Sequence, residues 1–174
     1  MNINNIFVTG AIHIGKTSIL NMVIKKLPHF KIAGFRTSPI FEEKEKKGFS
    51  FETLNGRKKI FAHVDLNTIN QYDIYKFDLK IFEQIGVSAL INALEKSDLV
   101  LMDEIGMMEQ GAVKFTQAIV RCLNSPNYVL GAFQQRASWF LKILKERTDT
   151  KIFFVDELNR DSIPESIIEL IGQV

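Results

Sequence analysis

The sequence predicts an α/β domain built on a mainly parallel β-sheet. Short runs rich in β-branched and aromatic residues alternate with segments whose apolar residues recur at helical spacing. The continuous apolar run 99–102 is typical of a strand buried on both faces, as strands of parallel sheets are. This alternation extends over the 174 residues without repeats or low-complexity segments, so we expect one domain spanning 1–174.

The predicted elements follow one another closely. A first strand, 5–9, leads through a glycine-bounded loop into a helix that Pro28 ends, and a second strand covers 31–37. A β-hairpin is expected next, because apolar and polar residues alternate over 49–52 before Asn55-Gly56, a pair favoured in tight turns. The later predictions are a helix over 78–97, a strand over 98–103, a helix around 115–123, a strand over 128–133, a helix over 137–147, a strand over 152–155 and a helix that opens at 162–165.

Composition and charge exclude several classes of protein. Hydrophobic residues make up 46% and the net charge is only +2, so intrinsic disorder is excluded. Apolar runs stay below the roughly 18 residues needed to cross a bilayer, and the N-terminus lacks the features of a signal peptide. We therefore expect a cytoplasmic protein without membrane contact. Cys122 is the single cysteine, which excludes disulfide frameworks and cysteine-rich zinc sites.

The loop between the first strand and the first helix fits the Walker A pattern G-x-x-x-x-G-K-[ST]. Glycines let backbone N–H groups turn towards phosphate, and the helix N-terminus adds the positive end of its dipole. Lys16 would bridge β- and γ-phosphate oxygens, and the Thr17 hydroxyl would hold Mg²⁺. The residues expected to bind the nucleotide in this loop are Gly10, Ala11, Ile12, His13, Ile14, Gly15, Lys16, Thr17 and Ser18.

The buried strand near residue 100 ends in two adjacent carboxylates. Asp103 would serve Mg²⁺, whereas Glu104, pointing the other way, would orient or deprotonate an attacking water. Glu109 is a weaker candidate for the same pocket. A carboxylate that activates water favours hydrolysis of the terminal phosphate over simple nucleotide storage, so Glu104 and Lys16 are the predicted catalytic residues.

Further contacts to the nucleotide are expected at the carboxyl ends of the other strands, where ligands of α/β sheets bind. Arg36, Lys46 and Arg136 are candidates to stabilise charge that develops on the γ-phosphate, although each also fits a surface ion pair. Asn159 and Arg160 follow the last strand, where the base would lie, and are candidate base contacts.

The acidic segment, 102–109, resembles the signature of the THEP-type nucleoside-triphosphatases. It reads Met-Asp-Glu-Ile-Gly-Met-Met-Glu, and the phosphate loop precedes it. Segments 34–37, 48–49 and 159–161 also occur in that family's order and spacing, so the resemblance covers nearly the whole chain.

This resemblance implies a P-loop three-layer sandwich of the additional-strand, catalytic-glutamate class, with a β-hairpin insertion. In that topology the strand at 128–133 would lie between the first strand and the Asp103 strand, and Gln134 would face the γ-phosphate. The implied activity is Mg²⁺-dependent hydrolysis of ATP, GTP and other nucleoside triphosphates.

Three features depart from the family pattern. His13 stands where the family usually has glycine, and Gln134-Gln135-Arg136 replaces a frequent His-Arg pair. Lysines at 44, 46 and 47 replace an arginine-rich stretch, and lysine cannot make the planar bidentate contact of arginine.

Two other interpretations fit the same motifs. One is a nucleoside or small-molecule kinase whose acceptor pocket is formed by residues 42–71. The other is a nucleotide-dependent switch that acts on RNA or protein through the basic hairpin, but the mild net charge gives nucleic-acid binding little support.

Overall fold

The computed structural model describes residues 3–172, which contain a nine-stranded sheet. The strands are β1 (Asn5–Gly10), β2 (Ile32–Glu42), β3 (Glu45–Thr53), β4 (Lys58–His63), β5 (Gln71–Tyr72), β6 (Tyr75–Phe77), β7 (Leu99–Ile105), β8 (Tyr128–Gln134) and β9 (Thr150–Val155). The helices are α1 (Lys16–Lys25), α2 (Leu79–Ile81), α3 (Val87–Lys96), α4 (Val113–Leu123), α5 (Ser138–Lys145) and α6 (Ile163–Gly172). A π-helical turn, Phe82–Gly86, joins α2 to α3, and a short 3₁₀ helix, Met108–Gly111, precedes α4.

The sheet has a parallel half and an antiparallel half. Its strand order is β5-β6-β4-β3-β2-β7-β8-β1-β9. The strands from β2 to β9 in that order pair in parallel, whereas β2 pairs with β3, and β3 with β4, in antiparallel fashion. β8 lies between β1 and β7, which is the place expected for strand 128–133. The carboxyl ends of β1, β7 and β8 therefore meet at one edge.

Helices cover both faces of the parallel half, because successive side chains of a strand point to opposite faces. Ile6 and Val8 of β1 pack with the apolar stripes of α1 and α6. Phe7 belongs to a second core, to which α3, α4 and α5 contribute. The result is a three-layer sandwich, with the sheet between two layers of helices. No helix within residues 3–172 is both long enough and apolar enough to cross a membrane.

The antiparallel half is anchored to the second core by aromatic packing. Phe35 of β2 stacks on Phe51 of β3 with ring centroids 4.8 Å apart, and Phe115 of α4 lies 5.4 Å from Phe35. Phe82 meets Phe51 edge to face at 5.7 Å. Such pairs add about 0.5–1.5 kcal/mol each beyond the area they bury. This cluster fixes the position of β2. The residues of β2 that pair with β7 extend to the edge of the sheet where the carboxyl ends of β1, β7 and β8 meet.

Two parts of the antiparallel half differ from the sequence prediction. β2 continues to Glu42 and returns as β3 through a turn at Glu43 and Lys44, whose φ angles are +48° and +72°. Such a turn normally uses Gly, Asn or Asp, so the Glu-Lys pair gave no signal. The expected hairpin is present as β3 and β4, joined around Asn55-Gly56. β5 and β6 were not predicted, because strands of two and three residues have no detectable periodicity.

Candidate active site

The phosphate loop occupies the turn from β1 into α1. Its backbone enters the left-handed region at His13 (φ +64°) and Gly15 (φ +110°). At Gly10 a Cβ atom would lie 2.6 Å from the carbonyl oxygen of Val155 in β9, so the loop can leave the sheet here only without a side chain. Ala11, Ile12 and His13 are exposed at the tip. The loop therefore presents mainly backbone groups to the edge of the sheet.

Lys16 is the buried side chain of this loop, with 8% of its surface exposed. Its Nζ donates to the carbonyl oxygens of Gly10 and Ala11, at 3.2 and 3.1 Å. The same Nζ lies 3.4 Å from Oε2 of Glu104. The ammonium group is thus held between the phosphate loop and the acidic segment.

Asp103, at the end of β7, is 2% exposed and connects three elements. Its Oδ1 accepts a hydrogen bond of 3.1 Å from the Thr17 hydroxyl of α1. Its Oδ2 lies 3.6 Å from Nη1 of Arg36 in β2. Burial raises the pKa of Asp103 from 3.8 to about 6, although Arg36 and the Thr17 hydrogen bond act in the opposite direction. Desolvation of this carboxylate therefore outweighs its partners.

The oxygen atoms of Thr17 and Asp103 suit Mg²⁺, which prefers hard oxygen ligands. Within residues 3–172 no group of three or more His, Cys, Asp or Glu side chains is arranged to hold a metal ion. Mg²⁺ in nucleotide sites generally takes one or two protein ligands, with substrate phosphates and water supplying the rest. A hydroxyl and a carboxylate in contact fit that requirement.

Glu104 leaves the regular ladder, because the pairing of β7 with β8 shifts register between Asp103 and Ile105. Its backbone N–H donates to the hydroxyl of Thr37 in β2, at 3.3 Å. Its half-buried carboxylate faces Lys16, whereas that of Asp103 faces Thr17 and Arg36. The two adjacent carboxylates therefore have different partners.

The remaining predicted residues divide into those near this site and those apart from it. Arg36 is in the site through Asp103. The side chain of Gln134 packs on Gly106, since its amide atoms lie 2.9 Å from where a Cβ of Gly106 would be. Arg136 is exposed in the turn after β8, and Ser18 is exposed in the first turn of α1.

The structure keeps Lys46 away from the other candidates. Arg36 of β2 is paired with Asp103 of β7. Lys46 of β3 is paired with Phe41, which lies five residues further along β2. That separation is about 16 Å along the strand. The Lys46 ammonium instead lies over the rings of Phe49 and Tyr75, at 5.1 and 5.7 Å.

Other lysines of the hairpin pair with neighbouring carboxylates. Nζ of Lys47 lies 2.6 Å from Glu45, and Nζ of Lys58 lies 3.5 Å from Glu52. Local pairing of this kind reduces the positive field that a nucleic acid would meet.

Asn159 and Arg160 lie in the loop after β9. The Asn159 side chain stabilises this loop itself: its amide donates to the carbonyl of Phe154 at 2.8 Å, and its Oδ1 accepts from the N–H of Asp156 at 3.0 Å. Nε of the exposed Arg160 lies 3.8 Å from Asp161. The loop is thus ordered by its own residues at the same edge of the sheet as the phosphate loop.

Comparison with known proteins identifies the family. A family model described as NTPase matches residues 5–168. The chain belongs to this nucleoside-triphosphatase family. It is 31% identical over 166 residues to nucleoside-triphosphatase THEP1 of Thermotoga maritima, covering 95% of this chain and 94% of that one. It is 36% identical to the Methanosarcina acetivorans protein of the same name, with 93% of each chain covered.

Solved structures agree with this assignment. The crystal structure of THEP1 from Aquifex aeolicus matches with a TM-score of 0.82 and 26% identity, over 97% of this chain and 99% of that one. The solution structure of a human cancer-related nucleoside triphosphatase matches with a TM-score of 0.78, also at 26% identity. The resemblance inferred from the acidic segment is therefore confirmed, and the chain is a nucleoside-triphosphatase.

Sequence reasoning missed two contributions to the site, those of Thr37 and Trp139. Thr37 binds the backbone of Glu104, and Trp139 of α5 donates from Nε1 to the carbonyl of Gly106 at 3.0 Å. Glu109, a weaker candidate for this pocket from the sequence, is 3% exposed, and its Oε2 accepts from the N–H of Gly106 at 3.0 Å. Thr37 follows Arg36 at the end of the predicted strand 31–37 and could have been found by that position. The contact of Trp139 depends on tertiary packing and left no local pattern.

Proposed function

We propose that this chain hydrolyses nucleoside triphosphates to the diphosphate and inorganic phosphate, in a Mg²⁺-dependent reaction in which Glu104 activates the attacking water. We assign the sheet to the additional-strand, catalytic-glutamate class, since β8 lies between β1 and β7 and Glu104 follows Asp103. The observation that carries the proposal is the 3.4 Å approach of the Glu104 carboxylate to Nζ of Lys16. It places a base candidate beside the cation of a phosphate loop.

The residues divide the chemistry between them. The Glu104 carboxylate accepts a proton from water as the water oxygen bonds to the γ-phosphorus. The bond from the γ-phosphorus to the β–γ bridging oxygen breaks, and the diphosphate leaves with that electron pair. Lys16 donates to the phosphate oxygens on which negative charge accumulates. The reaction therefore requires both sides of the contact between Lys16 and Glu104.

Thr17 and Asp103 are the residues that would hold the metal ion. When bound, Mg²⁺ supplies positive charge to the β- and γ-phosphate oxygens. Arg36 orients Asp103 through their 3.6 Å ion pair. Thr37 fixes the backbone of Glu104. Two neighbouring strands, β2 and β7, thereby align the two carboxylates with the phosphate loop.

The decisive experiment measures phosphate released from ATP, GTP, CTP and UTP with Mg²⁺ by the wild type and by Glu104→Gln. The variant is expected to bind nucleotide with unchanged affinity and to lose about 10²- to 10⁴-fold in turnover, because the amide cannot accept the proton. Glu95→Gln, at an exposed position of α3, is the matched control.

Unchanged turnover in Glu104→Gln would overturn the role of this residue. Tight nucleotide binding by the wild type without phosphate release, together with a phosphorylated hydroxyl acceptor, would show a kinase instead.

A further inference from the structure

The peptide groups on either side of Gly106 are held by two side chains from different elements. The backbone N–H donates to Oε2 of Glu109, in the 3₁₀ helix, at 3.0 Å. The backbone carbonyl accepts from Nε1 of Trp139, in α5, at 3.0 Å. Both distances are those of well-formed hydrogen bonds. Gly106 is two residues after Glu104, so its backbone controls the direction in which the chain leaves the site.

A third element closes over the same residue. The Gln134 side chain, at the end of β8, occupies the space beside the α-carbon of Gly106. Gly106 itself is buried. It is therefore restrained by hydrogen bonds at both polar groups and by packing against its α-carbon.

The burial of Glu109 is costly for the fold. A buried carboxylate needs hydrogen bonds or a cation to offset its desolvation. Within residues 3–172 no Lys, Arg or His side chain lies within 4.0 Å of this carboxylate, so its hydrogen-bond donors are backbone N–H groups, that of Gly106 among them. An apolar residue would fill the space without that cost, so an acceptor oxygen at this place calls for a functional explanation.

We propose that Glu109 and Trp139 are positioning residues, which clamp Gly106 and thereby hold the Glu104 carboxylate against Lys16. This inference rests on the proposed role of Glu104 as the residue that activates water. Neither residue touches the reacting atoms: both act through the backbone between 104 and 106. Their loss should lower turnover at unchanged substrate affinity.

The test compares kcat and KM of Glu109→Ala, Glu109→Gln and Trp139→Phe, with Glu95→Ala as the matched surface control. Glu109→Ala is expected to lose about 10- to 100-fold in kcat, because small displacements of a catalytic group are costly. Glu109→Gln, whose amide oxygen can still accept from Gly106, should recover most of that loss. Trp139→Phe keeps an aromatic, though smaller, side chain but lacks the N–H donor, so it should also lower kcat while KM stays within about twofold.

The two substitutions should not act independently. Combined in one chain, Glu109→Ala and Trp139→Phe are expected to cost less than the product of their separate effects, because both release the same residue. If the loss of kcat in the double variant equals the product of the two separate losses, Glu109 and Trp139 do not act through the same residue and the proposal is overturned. If Glu109→Ala fails to fold, Trp139→Phe and Glu109→Gln still test the proposal through the split between kcat and KM.

Trp139 also provides a readout that does not depend on turnover, since it is the single tryptophan of the chain. Its emission should shift in Glu109→Ala, as the Gly106 carbonyl moves away, and should stay unchanged in Glu109→Gln. Unchanged emission and kcat in a folded Glu109→Ala would overturn the clamp. Equal loss of kcat in the Gln and Ala variants would overturn it too, because Glu109 would then act as an acid or base itself.

The role of Glu104 is judged separately. Normal turnover in Glu104→Gln would refute the proposed function, whereas the emission of Trp139 would still report whether Glu109 holds Gly106. An inactive Glu104→Gln beside a fully active Glu109→Ala would refute the clamp alone.

Discussion

The phosphate loop and the acidic segment meet at Lys16 and Glu104, but they are built in opposite ways. The loop, residues 10–17, is a local structure: its shape comes from backbone angles, and several of its side chains are exposed. The acidic segment, residues 103–109, is held by side chains that are distant in sequence, among them Thr37 and Trp139. The phosphate loop is therefore specified by its own local sequence. The acidic segment also depends on contacts that only the complete fold provides.

The largest effect is expected where the two parts touch. Lys16→Ala removes the cation that faces both the phosphate oxygens and Glu104. We expect kcat/KM to fall by about 10²- to 10³-fold or more, the usual cost of removing one donor to developing charge. Nucleotide affinity should fall as well, since the same ammonium binds the ground-state phosphates. Phosphate release and nucleotide titration measure the two effects.

Lys25→Ala is the control, because Lys25 is an exposed lysine in the last turn of the same helix. If Lys16→Ala keeps the wild-type affinity for nucleotide, the backbone N–H groups of the loop are sufficient to bind phosphate without the lysine. The phosphate loop would then depend even less on side chains than the contacts of Lys16 indicate, and would differ more from the acidic segment.

A smaller, pH-dependent effect is expected in the acidic segment. Burial raises the pKa of Glu109 from 4.5 to about 7, against the hydrogen bonds of the backbone. The folded state thus holds this proton more tightly than the unfolded state does. The resulting contribution to stability is complete below about pH 4.5 and is lost as the pH rises through about 7.

Glu109→Gln cannot ionise and should not show this loss. Relative to the variant, the wild type should lose up to ~3 kcal/mol in its free energy of unfolding between pH 4.5 and 8.5, at ~1.4 kcal/mol per pKa unit. Urea unfolding at both pH values measures the difference, with Glu95→Gln as the surface control. Parallel pH profiles for wild type and Glu109→Gln would show that this carboxylate is not desolvated in the folded protein.

The same contrast explains which features the sequence could predict. The Walker A loop was found because a strand, two glycines and Lys-Thr are contiguous, and the strand before Asp103 because burial on both faces leaves a continuous apolar run. Glu109 is a candidate for this pocket from the sequence, but the hydrogen bonds that Glu109 and Trp139 make to Gly106 follow from the folded backbone and could not be predicted. The sequence predicts Lys46 near the carboxyl end of a strand, but the Glu43-Lys44 turn lengthens β2 and places Lys46 away from Asp103.

The smallest expected effect lies within the phosphate loop, at His13. This exposed side chain has φ +64°, and an L residue costs about 1–2 kcal/mol in the left-handed region. His13→Gly removes that cost but gains freedom in the unfolded chain, worth about 0.5–1 kcal/mol. We expect a net stabilisation of at most ~1.5 kcal/mol, measured by thermal or urea unfolding. Ile12→Gly is the control: Ile12 is exposed next to His13 without a positive φ, so glycine there should only destabilise. If His13→Gly is destabilising, the imidazole itself supports the loop, and the phosphate loop depends on side chains more than its backbone geometry indicates.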